Sequence, residues 1–207
     1  MRLIGMLDSP YVRRVAISLK VMGIPFEHEP TSVIREYDAF SRVNPVVKAP
    51  TLVLDTGVVL MDSTLILENL EYLTPRGRRL RSPDPGRWPY ELRTLGLALA
   101  ACEKTVQIVY EQNLRPPEKL HQPWLDRVCG QLTAAYETLE AELPAQPRWS
   151  SSEDLTQDDL TTAVAWRFTQ HIAAQAFPAE LYPRLAAHSG RAEALPAFLS
   201  TPLEPVI

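Results

Sequence analysis

The sequence predicts a small mixed α/β domain of order βαβαββα over residues 1–75, a linker at 76–88, and an all-helical domain over 89–207. Three observations predict this. Up to residue 75, apolar runs of strand length alternate with stretches of helical spacing. A Pro-, Gly- and Arg-rich stretch then interrupts the pattern. Beyond Trp88, every apolar repeat keeps the spacing of a helix. The chain has 207 residues, enough for two such domains with buried cores.

Taken in order, Arg2 to Met6 reads as a short buried strand. Val12, Val15, Ala16 and Leu19 recur at i, i+3, i+4 and i+7, the apolar face of a helix. Ser9 falls at its N-cap and Pro10 at its first position, where a missing N–H costs nothing. Gly23 and Pro25 stop that helix, and an extended segment follows at Phe26 to Glu29. Strand, helix, strand implies a parallel pair with a right-handed crossover. A weaker helical stretch from Arg35 to Val43 leads to Asn44-Pro45. Lys48 to Leu54 and Val58 to Met61, joined by Asp55-Thr56-Gly57, read as an antiparallel hairpin. Asp62-Ser63-Thr64 offers caps for a helix carrying Leu65, Ile66, Leu70 and Leu73.

The linker holds Arg76, Arg78, Arg79, Arg81 and Arg87 among its prolines and glycines, and reads as a solvated face or a subunit contact. Leu92 to Leu114 and Trp124 to Leu143 then follow as two long helices. Thr156, with Asp159 three residues on, opens a third in the manner of a capping box. Shorter helices are expected at Leu181 to His188 and Arg191 to Leu199.

Composition narrows the function. With 21 basic and 25 acidic residues the net charge is −4, so neither a nucleic-acid nor a membrane partner is indicated. No stretch approaches the ~20 apolar residues of a membrane span, and the N-terminus runs straight into a strand. The two cysteines, Cys102 and Cys129, both lie in helical segments, which speaks against a disulfide framework and fits a cytoplasmic protein. His28, His121, His171 and His188 are scattered without ligand spacing, so no metal is expected. Ser9 lacks the elbow of a serine hydrolase, and no Gly-rich phosphate loop occurs. What remains is Ser9, Lys48-Ala49-Pro50 and Asp62-Ser63, which a βαβαββα sheet brings to one end. A hydroxyl at a helix N-terminus suits an anion such as a thiolate. On this stretch alone, Ser9 as a simple cap is the commoner role.

Three segments carry a family resemblance: Ser9-Pro10-Tyr11-Val12-Arg13-Arg14-Val15, Asn44-Pro45 with Lys48-Ala49-Pro50 and Leu52, and Met61-Asp62-Ser63 with Ile66. They resemble the thioredoxin-like domain of glutathione S-transferases, in particular bacterial enzymes with a serine in the first turn. Thr156 with Asp159, Tyr182-Pro183 and Leu195-Pro196-Ala197-Phe198 resemble the helical domain of that superfamily.

The resemblance implies glutathione as co-substrate, without a metal, and a small hydrophobic electrophile. It implies a cis Pro50 that sets the backbone of Ala49 against the cysteinyl part of glutathione, where the family usually has Val before the proline. Asp62 and Ser63 would hold the γ-glutamyl end, Lys48 would lie near the glycyl end, and Ser9 would activate the thiol, with Tyr11 as rival. Arg13 reads as a solvated helix face or an electrostatic helper. The electrophile is expected between the domains, with Tyr110 and Trp166 either lining its site or belonging to the core. A homodimer is implied as well. Two other functions fit the same residues: a transferase-like binding or regulatory module, and a glutathione-dependent thiol-disulfide oxidoreductase, which the absence of any Cys before residue 102 weakens.

Overall fold

The computed structural model describes residues 1–75, 78–147 and 149–204. The described residues form two compact units, one of 1–83, 151–156 and 195–204, the other of 84–150 and 157–194.

The first unit is built on a four-stranded mixed sheet in the order β2-β1-β3-β4, from β1 (Arg2–Ile4), β2 (Glu27–Glu29), β3 (Thr51–Val53) and β4 (Val59–Met61). β1 is parallel to β2 and antiparallel to β3, and β3 and β4 form the expected hairpin. β1 stops at Ile4 rather than Met6 because Gly5 takes φ +137°. A Cβ at Gly5 would stand 2.6 Å from Val12 Cγ2 and 3.1 Å from the Ala49 methyl. Only glycine lets the chain leave the strand with a helix and a loop pressed this close.

Helix α1 (Pro10–Met22) begins at Ser9, whose oxygen accepts from Val12 N–H at 3.4 Å. It ends in a Schellman pattern: the Gly23 N–H donates to Lys20 O and the Ile24 N–H to Leu19 O, with Gly23 at φ 69°. Helix α2 (Tyr37–Val43) starts two residues later than its spacing suggests, because the Ser32 hydroxyl takes the N–H groups of Ile34 and Arg35 into a turn of its own. Helix α3 (Ser63–Leu73) packs against α1.

The second unit is helical: α4 (Trp88–Asn113), α5 (Gln122–Glu142), α6 (Gln157–Ala173) and α7 (Pro183–Glu193). Tyr136, fully buried, donates its hydroxyl to Ala165 O at 3.0 Å and lies 2.6 Å from Thr169 Oγ1, which in turn meets Thr105 Oγ1 at 2.7 Å. One polar chain thus ties α4, α5 and α6 through their shared core. Trp166 stacks edge-on against Tyr136 at 5.1 Å and is buried, so it belongs to that core, whereas Tyr110 is exposed. The two short C-terminal helices meet elsewhere than expected: α7 runs through Gly190 to Glu193, and Pro196 opens α8 (Pro196–Leu199), which returns to the first unit.

Tyr136→Phe leaves its cavity filled but strips the hydroxyl from Ala165 O and Thr169. Denaturant unfolding should register a loss of about 1–2 kcal/mol, the range for a buried neutral hydrogen bond. An unchanged midpoint would mean the polar chain contributes nothing net.

Candidate functional site

Two helix N-termini and one loop meet at the end of the sheet where β1 stops. The loop is shaped by Asn44, a buried residue whose Nδ2 donates to Thr51 Oγ1 at 2.9 Å and whose Oδ1 accepts from Val46 N–H at 3.1 Å. Thr51 Oγ1 donates onward to Lys48 O at 2.7 Å. Val47 is held at φ 51°, a costly conformation for a β-branched residue. The Ala49–Pro50 peptide bond is cis. Lys48 is exposed, and its Nζ lies 3.5 Å from Asp62 Oδ2.

Asp62 caps α3, with Oδ1 accepting from Thr64 N–H at 2.9 Å and Leu65 N–H at 3.5 Å. Its φ of 71° is unusual for a residue with a side chain. Such strain collects where a site fixes the backbone. Ser63, buried, accepts from Arg14 Nη1 at 3.0 Å, and the same nitrogen reaches Thr64 Oγ1 at 3.3 Å. Since Ser63 Oγ is acceptor in that bond, its own hydrogen remains available to a ligand. The same holds for Ser9, whose oxygen accepts from Val12 N–H over a long 3.4 Å.

The six positions singled out in the sequence therefore lie in one unit and are linked in space: Lys48 with Asp62, Ser63 with Arg14 of the Ser9 helix, and Ala49 with Val12 through Gly5. Tyr11 is half-buried beside Ser9.

One basic residue departs from expectation, and its neighbour is buried with it. Arg13 is not on a solvated face: it is 1% exposed, donates from Nε to Thr201 O at 2.9 Å, and lies over the Phe198 ring at 5.8 Å. Arg14 is fully buried. Helix α1 shows no solvated stripe there, because α8 covers Arg13 and the first residues of α3 take Arg14.

Glu204 also escaped the sequence reading. Its Oε2 accepts from Leu7 N–H at 2.9 Å, which pins the loop before Ser9 to the C-terminal segment. Beside it, burial pushes the Asp8 carboxyl above its ordinary pKa; the Ser9 N–H lowers it, the Glu204 carboxylate raises it, and Arg35 lowers it. Among the described residues no group of three or more His, Cys, Asp or Glu could hold a metal ion, and no helix is long and apolar enough to cross a membrane.

Two family models match the chain: "Glutathione S-transferase, N-terminal domain" over residues 3–78 and "Glutathione S-transferase, C-terminal domain" over 122–191. The chain is similar to glutathione S-transferase U4 of Arabidopsis thaliana, 29% identical over 72 residues, which are 35% of this chain and 32% of that protein. In that comparison the chain spans about a third of the relative's length. Among solved structures it is similar to a glutathione S-transferase of Methylobacterium radiotolerans in complex with glutathione sulfonate, with TM-score 0.87 and 26% identity over 100% of this chain and 96% of that one. A glutathione transferase family member of Pseudomonas fluorescens Pf-5 with bound glutathione gives 0.82 and 27%, covering 100% and 99%.

Asp8→Asn tests the charge beside Ser9 while keeping an acceptor for its N–H. A carboxyl whose folded pKa is raised stabilises the fold when protonated and loses that contribution as pH rises through the folded value. The variant should melt higher than wild type at pH about 7.5, with the difference closing as pH falls toward the unperturbed 3.8. Equal melting at both pH values would refute the buried-charge account.

Proposed function

The chain belongs to the glutathione S-transferase superfamily, with a thioredoxin-like N-terminal part, and on that premise we propose that it is a glutathione transferase acting on a small hydrophobic electrophile. In this reading residues 1–75 are the glutathione-binding domain, 76–88 the linker and 89–207 the helical domain, although 151–156 and 195–204 pack with the first unit. The observation that carries the proposal is the meeting of the α1 N-terminus, the α3 N-terminus and the cis Ala49–Pro50 loop at one end of one sheet.

Each part of glutathione has a counterpart there. The γ-glutamyl carboxylate takes the Ser63 hydroxyl at the positive end of α3, and its ammonium pairs with Asp62. The cysteinyl backbone adds as a short strand along Ala49, ahead of Pro50. Lys48, exposed and within reach of Asp62, serves the glycyl end. Ser9 donates its free hydrogen to the thiol sulfur. Ionising that thiol sends its proton to solvent. The thiolate then forms the S–C bond while the leaving group departs from the electrophile with its electron pair. A free thiol of pKa ~8.5 is only about 3% ionised at pH 7, so stabilising the thiolate gains up to roughly 30-fold.

Support for a homodimer comes from exposed apolar side chains, Val58, Val59, Met61, Leu65 and Tyr72 in the first unit and Tyr90 and Leu92 in the second; a cytoplasmic location is proposed from the family alone. Sedimentation at micromolar concentration should give twice the 23.3 kDa of one chain, and a species of single-chain mass would remove the dimer.

Ser9→Ala should leave glutathione affinity within about a few-fold, because Lys48, Ala49, Asp62 and Ser63 keep their contacts, yet slow conjugation of an aryl halide at pH about 6.5 by roughly tenfold or more. The deficit should shrink toward pH about 9, where the thiolate forms unaided. Full activity of Ser9→Ala at low pH would reduce Ser9 to a helix cap. Loss of glutathione binding by wild type, tested on glutathione resin, would favour the module reading instead.

A further inference from the structure

The arginines that follow α3 are left without a role by the glutathione site. In the first unit, a cleft of about 620 Å³ opens at the C-terminal end of α1, and its wall includes Lys20, Arg78, Arg79, Ser152, Glu153 and Ser200. Three cations face one carboxylate in a protein whose net charge is −4. We propose that this cleft binds a phosphate monoester with a polar organic part, at a site separate from that of glutathione.

Arg78 is seated for such a role. A Cβ at Gly23 would run into its guanidinium, so the glycine that caps α1 also lets the charged fork approach the helix end. Arg79 is fixed by its Nε donating to Thr74 O at 3.1 Å, which leaves the geometry of its outer nitrogens set by the backbone. Lys20 Nζ is anchored on Ser200 O at 2.9 Å, on the opposite wall. A planar guanidinium matches a phosphate with two parallel hydrogen bonds, and a neighbouring ammonium adds a point charge. Behind this wall the Glu71 carboxylate accepts from Leu80 N–H at 2.9 Å and faces Arg79 and Arg81, so part of the linker's charge is already answered. Of the three cations on the cleft wall, Arg79 shares its charge with Glu71, and Lys20 and Arg78 do not.

Size and polarity set the rest of the ligand. The cavity lies in the range of small-molecule sites and is far larger than a bare phosphate needs. Glu153, Ser152 and Ser200 offer acceptors for hydroxyl groups. A sugar phosphate has both ends. From Ser9 to the last turn of α1 is about 18 Å at 1.5 Å per residue, so both sites can be filled together.

The same cations also lie near the C-termini of α1 and α8, where positive charge is favourable without any ligand. Calorimetric titration separates the two roles, with D-ribose 5-phosphate as probe and D-ribose as control at low salt. Ribose 5-phosphate should bind once per chain, ribose should not, and Arg78→Gln and Lys20→Gln should each weaken binding by at least about tenfold. Saturating glutathione should leave the affinity unchanged. No heat from ribose 5-phosphate with wild type, or binding undiminished in both variants, overturns the proposal and leaves the cations to the helix ends. Equal binding of ribose overturns the phosphate class, and competition with glutathione overturns the separate site.

Discussion

The hydrogen bond from Arg14 Nη1 to Ser63 Oγ, 3.0 Å long and buried, is the constraint on which the site depends. It joins the second turn of α1 to the first residue of α3, fixing two helix N-termini at one end of the sheet. Burying a guanidinium costs several kcal/mol unless its donors are engaged. Here the charge also sits at the positive end of the α3 dipole, an arrangement that a negative group must balance. Asp62 supplies one carboxylate at that helix end, and its own backbone is held at φ 71° to do so. A ligand carboxylate on Ser63 would supply another. The proposed γ-glutamyl contact is consistent with this arrangement, since its carboxylate would meet the Ser63 hydroxyl at the positive end of α3.

The loop between β3 and α2 answers a second constraint. Its backbone is fixed just ahead of β3, a strand paired on both sides, and the Asn44–Thr51–Lys48 chain of hydrogen bonds holds the residue before Ala49 in place. Gly5 completes the fit by yielding space to Val12 and Ala49 together. A side chain at position 5 would crowd the Ala49 methyl, which would stand 3.1 Å from its Cβ.

Much of this was legible in the sequence because the signals are local. Ser9-Pro10 and Gly23 bracket α1, and Thr56-Gly57 marks the hairpin, through backbone chemistry confined to a few residues. Asp62 was legible as a cap by the same logic. The burial of Arg13 was not, since polarity says "solvated" unless the covering partner is known, and nothing in the spacing marked Arg14 as buried. Phe198 of α8 and Thr201 just beyond it, which meet Arg13, lie some 185 residues along the chain, and the α3 hydroxyls that meet Arg14 lie about 50 residues along. Glu204 was hidden for the same reason: no periodicity links it to Leu7. The α7–α8 boundary failed differently, because Gly190 reads as a break but is accommodated inside α7, while Pro196 sets the true restart.

The charges around Ser9 decide how a thiol could be activated there. The N-terminus of α1 favours an anion, but Asp8 and Glu204 bring two carboxylates to the same loop, and Glu204 already takes the Leu7 N–H. A diffuse positive field is therefore weakened just where the proposed thiolate would form. Lowering a thiol's pKa by two units takes about 2.7 kcal/mol. A helix N-terminus supplies about 0.3–1 kcal/mol, and less against nearby negative charge. A single hydrogen bond to an ionised partner supplies about 1.5–3 kcal/mol at short range, where the carboxylates compete least. On these magnitudes the proposed activation rests on one well-aimed hydroxyl rather than on the helix dipole, and the weak 3.4 Å cap to Val12 leaves Ser9 free to provide it.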